Sequence, residues 1–270
     1  MSETTSFPPV NHFFRELGVR VRTLEGREVG TLLLGPHLDT GDGVIPVGAL
    51  VTLIDMVTGR TAQRAAAPRY PITSDIDLRL TARRPCEELL VTATALHTGS
   101  RSCVLEAEIR GRTGTTFVAL GTAQANFSMF PPPKDLPLGS ITTLSEEIDF
   151  RAGEHPPAPS LTEALRVRDG SPEAGTSELD VDDYVRNPVG VLQGGVHGIL
   201  AERAALRFAK SQGSGTAQIG EMSLRYLAAA RVGPVRTQVR ALGPDSLLRV
   251  DLLDTGQDEK RVTTALVGLR

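Results

Sequence analysis

The chain has 270 residues, enough for one large domain or two small ones, with 40% apolar and 23% charged residues. The net charge of −3 and the 4% aromatic content, with no Trp, argue against a nucleic-acid surface or a base-stacking platform. Two cysteines, Cys86 and Cys103, exclude a disulfide scaffold or a Cys-rich zinc site. No apolar run nears the about 18 residues of a membrane span, and no basic-then-apolar leader follows Met1, so a cytoplasmic location is expected.

In chain order, the first clear element is a helix. Apolar residues recur at Leu50, Leu53, Ile54, Val57 and Ala62, helical spacing that runs from Val47 to Ala67 and stops at Pro68. Strand-like segments follow at 75–82, 89–96, 103–110 and 117–127. Several alternate polar and apolar residues, which suits a sheet with one wet face. Prolines then cluster in Met129–Leu138 and again in Gly153–Pro159, which excludes a regular helix or central strand there. The chain is therefore read as 12–129, a connector over 130–159, and 160–270.

The last segment repeats the first. A helix over Gly195–Lys210 carries Val196, Ile199, Leu200, Ala204 and Phe208, with strands at 221–228, 236–242, 247–252 and 261–269. Gly43-Val44-Ile45 faces Gly190-Val191-Leu192, and Leu53-Ile54-Asp55 faces Leu200-Ala201-Glu202, at an offset of 147. Asp75–Leu80 faces Glu221–Tyr226 at 146. Two copies are too few for a solenoid, so the expectation is a fused dimer whose two-fold contact lies inside one chain. The order of strand, helix and consecutive strands predicts an α+β fold, an antiparallel sheet with one central helix per copy.

Asn187-Pro188-Val189-Gly190-Val191-Leu192-Gln193-Gly194-Gly195, with Glu202 seven residues on, resembles the hotdog-fold acyl-CoA thioesterases of the PaaI and 4-hydroxybenzoyl-CoA type. Their pattern is Asn-x-x-Gly-x-x-His-Gly-Gly followed by an acid at that spacing. Copy 2 has Gln193 where the pattern has His. Copy 1 keeps Gly43, Gly48 and Asp55, but has Thr40, Pro46 and Val47 at the Asn, His and first Gly positions. The resemblance covers nearly the whole chain and implies a double hotdog, an intramolecular pseudo-dimer.

Thioester hydrolysis builds negative charge on the carbonyl oxygen. A backbone N–H at a glycine-lined helix N-terminus stabilises that charge, and a carboxylate two turns inward activates water or attacks the carbonyl. In the resembled family each site straddles the dimer, and some members add a hydroxyl about 18 residues beyond the acid, which here is Thr73. The resemblance thus implies one composite site of Asp55, Thr73, Asn187 and Gly194. Its twin joins Glu202 to Thr40 and Val47, with Ile219 or Gly220 at the hydroxyl position. Gly195, Gln193, Gly48 and Val47 are the expected substrate contacts. The first site is expected to work and the second to have decayed.

Each of these residues has a plainer reading. Asp55, between Ile54 and Met56, taken alone reads as a solvent-facing or capping residue, and it is the matched acid in the repeat that favours chemistry. Glu202 can pair with Arg203 or Arg207, Asn187-Pro188 can be only a turn, and Gly194-Gly195 only close packing. Arg83-Arg84 reads as a solvated turn, or as a contact to a CoA phosphate. The five histidines share no metal-ligand spacing, and neither metal nor cofactor is expected. The expected partner is an acyl thioester of CoA or a carrier, with no nucleic acid or membrane, and a homodimer of double hotdogs is left open. The alternative function is a catalytically inactive acyl-thioester-binding protein. A third reading is a hotdog hydratase or dehydratase; those resemble one another in an Asp and a His about five residues apart at the helix entry, and no such pair sits in the motif.

Overall fold

The structure, a computed structural model, describes residues 8–9, 11–38, 45–82, 84–131, 147–150, 160–243 and 246–270. Thr40, Gly43, Arg83, His155 and most of the 130–159 connector lie outside them.

Residues 8–131 contribute a short helix α1 (Phe13–Leu17), a hairpin of β1 (Arg20–Leu24) and β2 (Arg27–Leu33), the long helix α2 (Val47–Ala66), and strands β3 (Tyr70–Leu80), β4 (Glu88–Thr98), β5 (Ser102–Thr113) and β6 (Thr116–Phe130). A three-residue strand β7 (Glu147–Asp149) pairs with β1. The rest supplies α3 (Leu161–Ala164), β8 (Arg168–Asp169), β9 (Ser177–Leu179), α4 (Gly194–Ser211), β10 (Ile219–Tyr226), β11 (Val235–Ala241), β12 (Leu247–Asp254) and β13 (Lys260–Leu269). The α+β class read from the sequence is the one observed.

The thirteen strands among the described residues form one antiparallel sheet in the order β7-β1-β2-β4-β5-β6-β3-β10-β13-β12-β11-β9-β8. Apart from β7, the order on one side of the β3/β10 seam mirrors the order on the other. At the seam Asp77 faces Ser223, a pair separated by the same 146 residues that relate the two sequence copies. On either side of that pair, Asp75 faces Arg225 and Arg79 faces Glu221, so opposite charges meet across the join. Arg225 also donates two hydrogen bonds to the Asp77 carboxylate, at 2.9 and 3.0 Å.

Each long helix lies on its own half of the sheet, α2 against β2–β6 and α4 against β9–β13. Leu50, Leu53, Ile54 and Val57 on α2, and Val196, Leu200, Ala201 and Ala204 on α4, are buried there. Buried Glu28 on β2 accepts hydrogen bonds from Arg60 and Arg64 of α2, which ties helix to sheet with the charges paired. The two helices cross close to their N-termini. A Cβ on Gly48 would fall 2.4 Å from the Ile199 Cα, and one on Gly195 would fall 2.6 Å from the Thr52 Cα. Glycine at both positions is what lets the helices approach backbone to backbone, and this crossing brings residues of each half to the other's helix end. Among the described residues no helix is long and apolar enough to cross a membrane.

β3 starts five residues before the predicted strand at 75. Over this added stretch β3 pairs only with β6, where Pro71 faces Met129, and β10 joins only from Asp75. A proline needs no partner on the open side.

Candidate active site

The N-terminus of α4 opens on a cavity of about 610 Å³, within the range of ligand pockets. Phe14, Met56, Phe127, Phe130, Ile148 and Phe150 give it apolar walls, and Asp55, Thr73, Asn187, Gln193 and Gly194 line it as well. Two helical turns along α2, Asp55 is held from both halves of the chain. Thr73 on β3 donates its hydroxyl to Asp55 Oδ1 at 2.8 Å. Gln193 donates Nε2 to Oδ2 at 2.9 Å. Burial pushes the Asp55 carboxyl up to about 6, and these two hydrogen bonds work against that rise by favouring the charged form. The group is therefore mainly a carboxylate at pH 7, close to its own titration range.

Gln193 is also the N-cap of α4, with its Oε1 accepting from the Gly195 N–H at 2.6 Å. Gly194 is the first residue of the helix, so its N–H has no carbonyl inside the helix to bond. A Cβ on Gly194 would fall 2.8 Å from Asp55 Oδ2 and 3.4 Å from the Tyr226 hydroxyl. Only glycine leaves the carboxylate this near the helix end. Asn187 lines the same cavity, while its Oδ1 accepts from the Val189 and Val191 N–H groups at 3.0 and 3.2 Å and shapes the loop that leads into α4.

Two residues of this site were not singled out by the sequence reading. The Tyr226 hydroxyl donates to the Gly194 carbonyl at 3.0 Å and pins the first turn of α4 to β10. Burial, with the nearby Asp55 and Asp75 carboxylates, raises its phenol well above the usual range and keeps it neutral. His197 stands edge-on to Tyr226, with ring centroids 5.4 Å apart, and its Nδ1 lies 2.8 Å from Thr263 Oγ1. Burial lowers its pKa to about 4 against a hydrogen bond to the Leu192 carbonyl, so it is neutral too. Both polar tips align with apolar residues of the first copy, Leu80 and Leu50, so the repeat gave no sign of them.

The other helix end is built differently. Val47 and Gly48, the first residues of α2, donate their N–H groups to Glu202 Oε1 and Oε2 at 2.9 and 2.7 Å. The carboxylate of α4 caps α2 directly. Ile219, at the hydroxyl position of this half, is buried and apolar, and Pro46 stands where Gln193 stands in the first site. Among the described residues no His, Cys, Asp and Glu side chains gather as a metal site.

No family model and no curated protein matches the chain. Solved structures do. A thioesterase candidate from Novosphingobium aromaticivorans aligns with a TM-score of 0.60 at 18% identity, covering 92% of this chain and 97% of its own. An acyl-ACP thioesterase from Bacteroides thetaiotaomicron aligns at 0.57 and 12% identity, covering 90% and 98%. A protein of unknown function with a hotdog fold from Alicyclobacillus acidocaldarius aligns at 0.56 and 14% identity, covering 96% and 97%. At these identities the likeness is one of fold, and the fold is the hotdog.

Proposed function

We propose that this hotdog chain hydrolyses an acyl thioester at the N-terminus of α4. The observation that carries the reading is the grip on Asp55. One carboxylate, reached by Thr73 from its own half and by Gln193 from the other, sits against Gly194 at the mouth of a cavity with apolar walls. The apolar walls suit an acyl group, and the carboxylate and helix end suit its carbonyl. The thioester carbonyl oxygen takes the Gly194 N–H, where the positive end of the α4 dipole stabilises the developing oxyanion. Asp55 takes a proton from water as the water oxygen bonds to the carbonyl carbon. The tetrahedral intermediate then breaks its C–S bond, and the proton passes from Asp55 to the departing thiolate, leaving a carboxylic acid and a free thiol. A base with a pKa of about 6 is matched to such proton transfer near neutral pH.

The solved neighbours named as thioesterases support the reaction class. Tyr226 and His197 contribute no proton in this scheme, and their neutrality keeps competing charge away from the carbonyl. A second reading, an acyl-thioester-binding protein without turnover, draws on the commitment of the Asn187 side-chain oxygen to its own loop and on Gln193 at the motif's His position. A panel of acyl-CoA and acyl-carrier thioesters of increasing chain length, followed by release of free thiol, separates the two. Turnover of one class with a clear length optimum is the expected result. Tight binding without thiol release would establish the second reading.

A further inference from the structure

We propose that Gln193 is a positioning residue for Asp55, a rigid two-ended amide whose oxygen is locked by the helix cap so that its nitrogen must face the carboxylate. The inference rests on the hydrolase reading for the role of Asp55, and reassigns Gln193 from substrate contact to positioning.

Hydrogen-bond polarity fixes which way the amide faces. The Gly195 N–H can only donate, so the amide atom 2.6 Å from it is Oε1. The planar amide then turns Nε2 toward Asp55 Oδ2, 2.9 Å away, and that oxygen, when ionised, can only accept. Neither end can flip without setting donor against donor at the cap and acceptor against acceptor at Asp55. With Thr73 fixed on Oδ1, both carboxylate oxygens have defined partners from opposite halves of the chain, and the carboxylate plane is set with respect to Gly194.

His12, the N-cap of α1, shows the same arrangement with an imidazole. Its Nδ1 accepts from the Phe14 N–H two residues on, as Gln193 accepts from Gly195, and its Nε2 is 2.9 Å from the Arg186 carbonyl oxygen. A neutral histidine, with one acceptor and one donor, can therefore do at an N-cap what Gln193 does. The amide does it without titrating.

The groups that face Asp55 from the surrounding elements are Thr73 and Tyr70 on β3, Tyr226 on β10, and Gln193 and His197 at the start of α4. Tyr70 and Tyr226 are raised by burial and by Asp55 itself, and His197 is lowered, so all are neutral between pH 6 and 9. Asp55 is then the group whose titration the test reads.

Gln193→Ser separates the two ends of the amide. Serine is a good N-cap and keeps the bond to Gly195, but its short side chain leaves Asp55 Oδ2 without the donor. Removing a donor that favours the charged form raises the pKa, so the Asp55 midpoint, followed by carboxyl carbon NMR in the full chain, should rise by about 1 unit. The acidic limb of kcat/KM should move by the same amount, with a loss of about tenfold remaining at pH 8.5 where ionisation is complete. Gln193→His should bring the rate back toward wild type at pH 8.5, where the imidazole is neutral. A purely structural cap would lower stability and leave the midpoint unmoved. An unmoved midpoint in Gln193→Ser, or a rate at pH 8.5 that Gln193→His does not bring back, would overturn the assignment. A wild type that turns over no thioester would overturn the hydrolase reading, and the NMR midpoints would still decide the positioning.

Discussion

The two helix N-termini of this chain place an acidic residue from one half against the helix end of the other, and they use it in opposite ways. At α4 the acid is Asp55. It is held by Thr73 and Gln193, and Gly194, the first residue of the helix, has no carbonyl inside the helix for its N–H. At α2 the acid is Glu202, one methylene longer. Ile219 and Pro46 stand where Thr73 and Gln193 would be, so the carboxylate settles on the Val47 and Gly48 N–H groups themselves. An internal anion then sits on the first N–H groups of α2. The difference is that one carboxylate caps the helix end directly, while the other is held by side chains from both halves of the chain.

The largest effect should come from exchanging the acids for their amides. Asp55→Asn keeps the size and removes the base, and kcat/KM on the best thioester should fall by about 10²–10⁴. Glu202→Gln should change it less than about threefold at temperatures where the variant is folded. Equal losses would mean two working sites, and a dominant loss from Glu202→Gln would exchange their roles. Gly194→Ala comes next. Its Cβ would meet Asp55 Oδ2 at 2.8 Å, and displacing the carboxylate should cost about 10- to 100-fold in kcat/KM with the helix intact. A rate within twofold of wild type would show that the close approach is not used.

Stability should invert that order. Glu202→Gln sets an amide nitrogen against a backbone N–H and should lower unfolding free energy by about 2 kcal/mol in urea. Asp55→Asn should raise it. The native pKa of about 6 lies above the unfolded value of 3.8, so ionising Asp55 costs stability as pH rises through 6, and that cost is absent below 3.8. The amide removes the cost but keeps only one of the two hydrogen bonds, so a gain of about 1 kcal/mol is expected at pH 8 and none near pH 4. A gain that grows toward low pH would reverse the sign of the Asp55 shift. The same titration should make wild-type kcat/KM fall tenfold per unit below about pH 6, and a flat profile down to pH 5 would argue against Asp55 as the base.

Much of this was legible in the sequence because it rests on periodicity. The apolar spacing from Leu50 to Ala62 with Pro68 after it marks α2 closely, and the 146-residue offset matches the Asp77–Ser223 pair at the seam. The β1–β2 hairpin was not legible. Its strands carry Arg20, Arg22 and Arg27, and its turn is Glu25-Gly26, both at positive φ, a weaker signal than Asn-Gly. Within the site, Asp55, Thr73 and Gly194 could be found by motif spacing. The second job of Gln193 could not, because it depends on which amide atom the folded cap selects. Tyr226 and His197 were hidden for a related reason, since their polar tips matter only once α4 has packed against β10 and β13.

Under the proposed function, one of the two helix ends receives the substrate and the other is filled from within. Calorimetric titration of the full chain with a non-hydrolysable thioether analogue of the best acyl thioester tests it most directly. One analogue per chain, with binding weakened by Gly194→Ala and unchanged by Glu202→Gln, is the result predicted. Two analogues per chain of similar affinity, or one whose binding is lost in Glu202→Gln and kept in Gly194→Ala, would contradict it.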